Sequence, residues 1–428
     1  MNPASPMSES GFALAFGLLL LAPLALAGVA LINTGLGRSR SAAQSLLGAL
    51  AIGAAAMVVF ALVGATIAAP AAGAGHFLAL GGKPWSWAGT GPFLLSGFAN
   101  LSPRTQLGIL FEFFAVAMAA LIPWGSGADR LRMSAGLAIA AVLAALVFPF
   151  FTHWIWGPGW LGSLGKNFGL GAGFIDTAGA ASSHVLGGFA ALCVIWIVGP
   201  RHGKFPREGI STAIPGHNAV YVLLGCSLAL VGWVAWNTAG ALLWLDAPAT
   251  AAPVVAINTL LAAGGALGAT FAVTRLRFGK PDASLCANGW LAGLVISSAC
   301  SGVVTPVAAL FIGAVAGGCT PLLVEVLELA LSLDDPSGSL TVHLASGLWG
   351  LVAVGIFAPR SGQFLAQLIG IAALLGVALP VMYLLFVLVN RVLPFRVDPD
   401  GERIGMDLHE LGGAAYPEFV VHRDESYR

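Results

Sequence analysis

Apolar residues in this chain come in long, nearly unbroken runs. They show neither the three-and-four spacing of a water-facing helix nor the alternation of a half-buried strand. A run of about 20 mostly apolar residues crosses a bilayer as a helix. Such runs lie at 12–34, 44–70, 105–124, 133–156, 178–199, 218–243, 250–273, 284–302, 304–325, 338–358 and 363–393. The pattern predicts an all-α polytopic membrane protein with eleven spans. The last run is too long for one straight crossing, so it is expected to tilt or to extend beyond the bilayer.

Two of these runs match each other without a gap. DTAGAASSHVLGGFAALCVIWIVGPR (176–201) and DPSGSLTVHLASGLWGLVAVGIFAPR (335–360) share Asp176/Asp335, Gly179/Gly338, His184/His343, Gly188/Gly347 and a closing Pro-Arg at the same offsets. They are spans five and ten, so they cross in opposite directions. That is the mark of an inverted repeat of five helices plus five, with an eleventh helix outside the symmetry. The expected organisation is a membrane domain over 1–396, with repeats at about 12–199 and 218–358 and a last helix at about 363–393. A tail follows over 397–428. Each His lies eight residues from its Asp, or ~12 Å along a helix. In a hydrocarbon core of ~30 Å, the two histidines then stand at levels roughly 6 Å apart near the midplane.

Composition supports the membrane reading: 58% of the 428 residues are hydrophobic and 9% are charged, against roughly a quarter charged in soluble domains. The 57 glycines suit close helix crossings, with Gly264/Gly268, Gly289/Gly293 and Gly313/Gly317 as four-residue pairs. The net charge is zero, which gives no reason to expect a nucleic-acid partner. The five cysteines lie in or beside apolar runs with no metal-like spacing and read as packing residues. Residues 1–11 lack Lys and Arg, so the first run is expected to be a retained helix, not a cleaved signal. With the N-terminus outside, fifteen of the Lys and Arg residues fall on the inner side and four on the outer. The expected topology is therefore an outside N-terminus and a cytoplasmic C-terminus, in the plasma (inner) membrane.

Ionisable groups inside a membrane are functional candidates. His184 and His343, neutral in such surroundings, each offer one N–H donor and one N acceptor, and in contact they form a relay for a small polar solute or a proton. Two core histidines bonded to helix carbonyls are the plainer alternative. No Cys or carboxylate is spaced to complete a metal shell, so no metal and no cofactor are expected. Asp176 and Asp335 stand where carboxylates cap helix N-termini. Glu112, in span three, must be protonated, hydrogen-bonded or at a water-filled mouth. The chain has no HExxH, no GxSxG and no Gly-rich phosphate loop, and it does not read as an enzyme.

HWIWGPGWL (153–161), FIDTAGAASSHVLGG, GPRHGKF, PGHN (215–218), GWVAWNTAGA (232–241), DDPSGSLTVH and IGMDLHELGGAAY (404–416) together resemble the motifs of the ammonium transporter (Amt/Mep/Rh) family, over residues of about 12–416. The resemblance implies a homotrimer with a pore through each protomer. Ammonium is recruited at an outer aromatic vestibule and deprotonated, and ammonia passes a twin-histidine pore. It implies ammonium, ammonia or methylammonium as the solute and a PII-type protein as a cytoplasmic regulator. By motif, His184 and His343 match the twin histidines, Trp156 the vestibule Trp and Asp176 the structural Asp. Trp236 takes the place of a gate Phe, Trp233 and Asn237 flank it as usual, and Ser298 stands where Thr is common.

The departures lie at the entrance. Aligned on ADRLR, span three puts Glu112 at the usual Gln and Ala115 at the outer gate Phe, and Gly240 replaces a vestibule Ser. These changes predict a more open entrance that binds ammonium more weakly. Phe113, Phe114 and Trp160 are the rings that could compensate. The alternative function is a transport-weak ammonium sensor or a channel of relaxed selectivity for ammonia-like solutes. With about 35 residues after the last span and no output domain among them, a self-contained sensor is the less expected of these.

Overall fold

The computed structural model describes residues 7–69, 75–206 and 211–417. Among them eleven helices are long and apolar enough to cross a membrane: Glu9–Leu36, Ser39–Ala68, Pro103–Ser126, Met133–Ile155, Ala180–Val198, Ala219–Trp244, Ala249–Phe278, Ala283–Cys300, Pro306–Ala330, Leu340–Phe357 and Gln363–Val392. These are called spans one to eleven below. The chain is thus an all-α polytopic membrane protein, and the odd number of spans puts Glu9 and the tail at opposite ends of the bundle. The N-terminal and tail faces are named accordingly. Of the charges used for the topology expectation, Arg207, Arg423 and Arg428 lie outside the described residues.

Tight crossings are built on small residues. A methyl group on Gly313 or Gly317 would stand 2.1 Å from the Ala262 carbonyl and 1.9 Å from the Ala266 carbonyl, so span nine lies directly on the backbone of span seven. On span eight, a Cβ at Gly289 would meet Thr270 at 2.0 Å and one at Gly293 the Ala262 carbonyl at 2.5 Å. The expected crossing at Gly264 and Gly268 is not made: both face open space. The contacting stripe of span seven runs instead through Ala262, Gly265 and Ala266, a different face of the same turns. Four of the cysteines are buried, while Cys319 faces outward.

Spans five and ten begin alike. Each starts at a glycine three residues after the Asp, Gly179 and Gly338, with φ of 103° and 69°, a region open to Gly at no steric cost. Each then enters a π-helical turn, Ala180–Val185 and Leu340–Ala345, which carries the histidine. Spans two, four, nine and eleven carry π turns as well, at Phe60–Gly64, Leu143–Val147, Val326–Ala330 and Leu374–Ala378, so what sets spans five and ten apart is the histidine within the turn.

One element departs from the all-helical expectation. Between spans two and three a short hairpin pairs β1 (Gly75–Leu80) with β2 (Lys83–Gly89). Its two-residue turn, Gly81-Gly82, has φ of 57° and 73°, the backbone that a tight hairpin demands. His153 ties this hairpin to the bundle: Nδ1 donates to the Ala68 carbonyl at 3.0 Å and Nε2 accepts from the Ser86 hydroxyl at 2.8 Å.

At the tail face, buried charges join separate segments. Arg201 makes a two-pronged contact with Asp334 at 2.8 and 2.9 Å and reaches Asp129 at 3.1 Å. Burial alone would raise the Asp334 carboxyl. The Arg201 hydrogen bonds and the nearby Arg130 charge outweigh it and bring the pKa down to about 2. For Arg201, burial pulls down, but the same bonds and the Asp334 and Asp129 charges raise its pKa overall. Arg130 is held by the Gly199, Ala128 and Asp334 carbonyls and sees the Asp334 carboxylate only at 3.9 Å, so burial prevails and its pKa falls to about 10. Asp334 and Asp335 are neighbours in sequence with separate roles. Asp335 caps the start of span ten, and Asp334 is part of this ion cluster.

The tail folds back on the same face. Asp407 accepts from the N–H groups of Ala43 and Gln44 at 3.2 and 2.8 Å, and Glu410 accepts from Met133 at 3.0 Å. Two tail carboxylates thus cap the starts of spans two and four, where helix dipole and orphan N–H groups favour negative charge. Glu402 bridges Arg396 at 2.7 Å and the His202 N–H at 2.6 Å, and the Tyr416 hydroxyl lies 3.0 Å from His217 Nε2.

Candidate functional site

The π turns of spans five and ten bring His184 and His343 together. Their Nδ1 atoms are 3.2 Å apart, and the rings are nearly parallel with centroids 5.2 Å apart. Both are buried. A single bond between two Nδ1 atoms requires one to carry the proton and the other to accept it. The two Nε2 atoms then differ: one keeps a lone pair and the other an N–H.

His184 is held from its other side. Trp233 stacks on it at 5.1 Å, and the Trp233 indole donates to Ser298 Oγ at 2.9 Å. Ser298 donates to Asn237 Oδ1 at 3.0 Å, and Asn237 Nδ2 donates to Ser297 and Thr259 at 2.8 and 3.0 Å. The chain Asn237–Ser298–Trp233 fixes the plane on which His184 rests.

Asp176 positions the span itself. Its oxygens accept from the N–H groups of Gly179, Ala180, Ala181 and Ser182 and from the Ser182 hydroxyl, at 2.8 to 3.1 Å. The capping expected of this residue is what its geometry provides. A carboxylate so occupied has no acceptor site left for a passing cation. Asp335 caps less heavily, with Leu340 N–H at 2.7 Å, the Ser339 N–H, and the Ser337 hydroxyl at 3.4 Å.

Toward the N-terminal face the site is closed by rings. Phe111 stands edge-to-face with Trp156, Trp236 and Trp244, at centroid distances of 5.3, 5.5 and 5.7 Å. Trp156 stacks on Trp244 at 4.9 Å and donates to the Asp176 carbonyl at 2.8 Å. This contradicts the open entrance expected from Ala115. Ala115 is fully buried, and Phe111, one helical turn earlier on the same face of span three, supplies the missing ring. Of the three candidates, Phe113 packs against Phe60 and Trp160 against Trp85.

Gly240 also has a different meaning from a lost hydroxyl. A Cβ there would lie 2.4 Å from the Thr177 carbonyl oxygen and 2.8 Å from Ala178. Glycine is needed because the segment entering span five lies directly on span six. Glu112 is 1% exposed, beside the Thr152 hydroxyl, with Oε2 lacking a partner among the described residues. A water-filled mouth is therefore not its setting.

Sequence reasoning passed over Phe111 and Trp244. A signal existed for the second: Trp233, Trp236, Gly240 and Trp244 recur at three, four and four residues, one face of a helix. For Phe111 there was none, since alignment by motif pointed to position 115.

A sequence model described as the Ammonium Transporter Family matches residues 12–416. The protein called ammonium transporter Amt2 from Archaeoglobus fulgidus is 33% identical, over 99% of this chain and 91% of its own length. A Bacillus subtilis protein called ammonium transporter is 30% identical, over 93% and 96%. Among solved structures, one titled Sensor Amt Protein superposes with a TM-score of 0.83 at 27% identity, covering 94% of this chain and 98% of that one.

Proposed function

The chain belongs to the ammonium transporter family, and from that premise we propose that it carries ammonium across the membrane as ammonia along the His184–His343 pair. The observation that carries the proposal is the 3.2 Å contact between the two buried Nδ1 atoms. A neutral pair presents one Nε2 lone pair and one Nε2–H. Ammonia, with three N–H groups and a lone pair, can meet both. A bare cation entering low dielectric would lose hydration worth many kcal/mol, up to tens by Born estimates. Ammonium therefore gives up its proton before the pair, and the proton crosses by a separate route.

In this proposal the aromatic cluster of Phe111, Trp156, Trp236 and Trp244 is the gate that excludes water. Its rings attract the cation at roughly 0.5–2 kcal/mol per exposed face. Because Trp156 and Trp244 cover each other, that attraction becomes available only when the gate opens. Asp176, Trp233, Asn237 and Ser298 are positioning residues. The N-terminal face is the outer one, the tail is cytoplasmic, and three copies assemble with a pore in each. A PII-type regulator, if one serves this protein, meets the tail face.

The likeness to a structure titled Sensor Amt Protein favours one second reading, in which the chain senses ammonium and transports it weakly. Currents from purified protein in proteoliposomes on a solid-supported membrane separate the two. Transport predicts saturable currents with ammonium and smaller ones with methylammonium, and none with potassium. No current with either amine, together with intact ammonium binding, would replace transport with sensing.

A further inference from the structure

The stripe of Trp233, Trp236 and Trp244 on span six leads from the aromatic gate to the histidine pair. Trp233 stacks on His184, Trp244 stacks on Trp156, and Phe111 stands perpendicular to both Trp236 and Trp244. The indole N–H groups of this region have different fates. Those of Trp156 and Trp233 are bonded, to the Asp176 carbonyl and to Ser298. The N–H groups of Trp236 and Trp244 have no partner among the described residues, although the side chains are only 3% and 5% exposed. The perpendicular Phe111 ring is at most a weak acceptor. A buried donor without an acceptor is destabilising, and that cost disappears when an acceptor arrives.

We propose that the Trp236 indole N–H, on the gate ring one helical turn from the Trp233 that stacks on His184, is a hydrogen-bond donor site for ammonia that has just lost its proton. The inference rests on the transport reading above and adds a selectivity element to it. Ammonium has four N–H groups and no lone pair, so it cannot accept this bond, and neither can potassium. Ammonia accepts with its one lone pair and keeps its own N–H groups for the free Nε2 lone pair of the histidine pair. The donor thus favours the neutral species at the step where the proton must already be gone. A Phe, the residue that the resemblance places at this position, would close the gate without supplying the donor. Water shares the acceptor chemistry, so the test separates the two solutes.

Two variants remove the donor and keep an aromatic ring: Trp236→Phe, and 3-benzothienylalanine placed at 236, where sulfur replaces the N–H within the same shape. Both are compared with the unmodified protein in proteoliposomes, by ammonium-driven current and by osmotic water flux. Losing one neutral hydrogen bond predicts an ammonium flux about two- to tenfold lower in both variants, with water flux unchanged. Full flux in the benzothienyl variant overturns the proposal, as does a change confined to water. In parallel, the Trp236 indole ¹⁵N–¹H resonance, identified by its absence in Trp236→Phe, is followed as ammonium is added at alkaline pH. A downfield shift with ammonium salt and none with potassium salt is expected, and an unmoved resonance overturns the site. The resonance reports on the site even where no current flows. Absence of current in the unmodified protein would therefore count against transport alone.

Discussion

Replacing the two helix-capping aspartates by alanine should have unequal effects, although the residues occupy equivalent places in the repeat. Asp176 holds four backbone N–H groups and one hydroxyl, all buried. Asp335 holds two backbone N–H groups and a longer hydroxyl contact. Each buried donor left without an acceptor costs about 1–3 kcal/mol. The backbone groups alone thus put Asp176→Ala at about 4 kcal/mol or more and Asp335→Ala at about 2 kcal/mol or more. The first is a large share of the roughly 5–15 kcal/mol that keeps a protein folded. Asp176→Asn is a useful intermediate, since its amide keeps one acceptor but turns donors toward the Ala181 and Ser182 N–H groups. Thermal unfolding in detergent, followed by intrinsic fluorescence and by size-exclusion profile, should rank stability as unmodified, Asp335→Ala, Asp176→Asn, Asp176→Ala. Equal melting shifts for the two alanine variants, or a larger one for Asp335→Ala, would refute the bond-by-bond account of these caps.

Three further expectations concern the scaffold. Gly317→Ala should lower thermal stability markedly, because its methyl would stand 1.9 Å from the Ala266 carbonyl, while Gly264→Ala, facing open space, should be neutral or stabilising by up to about 1 kcal/mol. Asp407→Ala should loosen the tail, since two N–H caps on span two are lost; tryptic cleavage after Arg403 should quicken about five- to tenfold, and an unchanged rate would show that the tail is held elsewhere. Asp334, with its folded pKa lowered to about 2 against ~3.9 when unfolded, contributes about 2–3 kcal/mol that is fully present above pH ~4 and lost as pH falls through about 2. Melting temperature should therefore hold from neutral pH down to ~5 and fall steeply below ~4, a fall that Asp334→Asn should blunt.

The spans were legible because a bilayer imposes length and composition on each segment separately, and the limits read from the runs agree with the helices to within a few residues. The nearness of His184 and His343 was legible from their common offset to Asp176 and Asp335 and a depth argument. What escaped depends on neighbours far away in sequence. Gly240 reads as a missing hydroxyl until Thr177 is seen against it, and Ala115 reads as a missing gate until Phe111 is seen among three tryptophans. The Arg201–Asp334 pair spans 133 residues and the Asp407 cap 363; nothing local marks either. The hairpin was the avoidable omission, since Gly81-Gly82 between two short apolar and aromatic stretches is a turn signal in its own right.

The central claim is that ammonia passes along a pair of neutral, touching imidazoles. Its most direct test is the ammonium and potassium current of His184→Ala and His343→Ala, each in proteoliposomes beside the unmodified protein, with correct assembly checked by size exclusion. The account predicts that each assembled variant either loses the ammonium current or gains a potassium current, because the neutral relay is broken and space for hydrated ions opens. Ammonium currents of unmodified size in both variants, with potassium still excluded, would make the pair structural and contradict the claim.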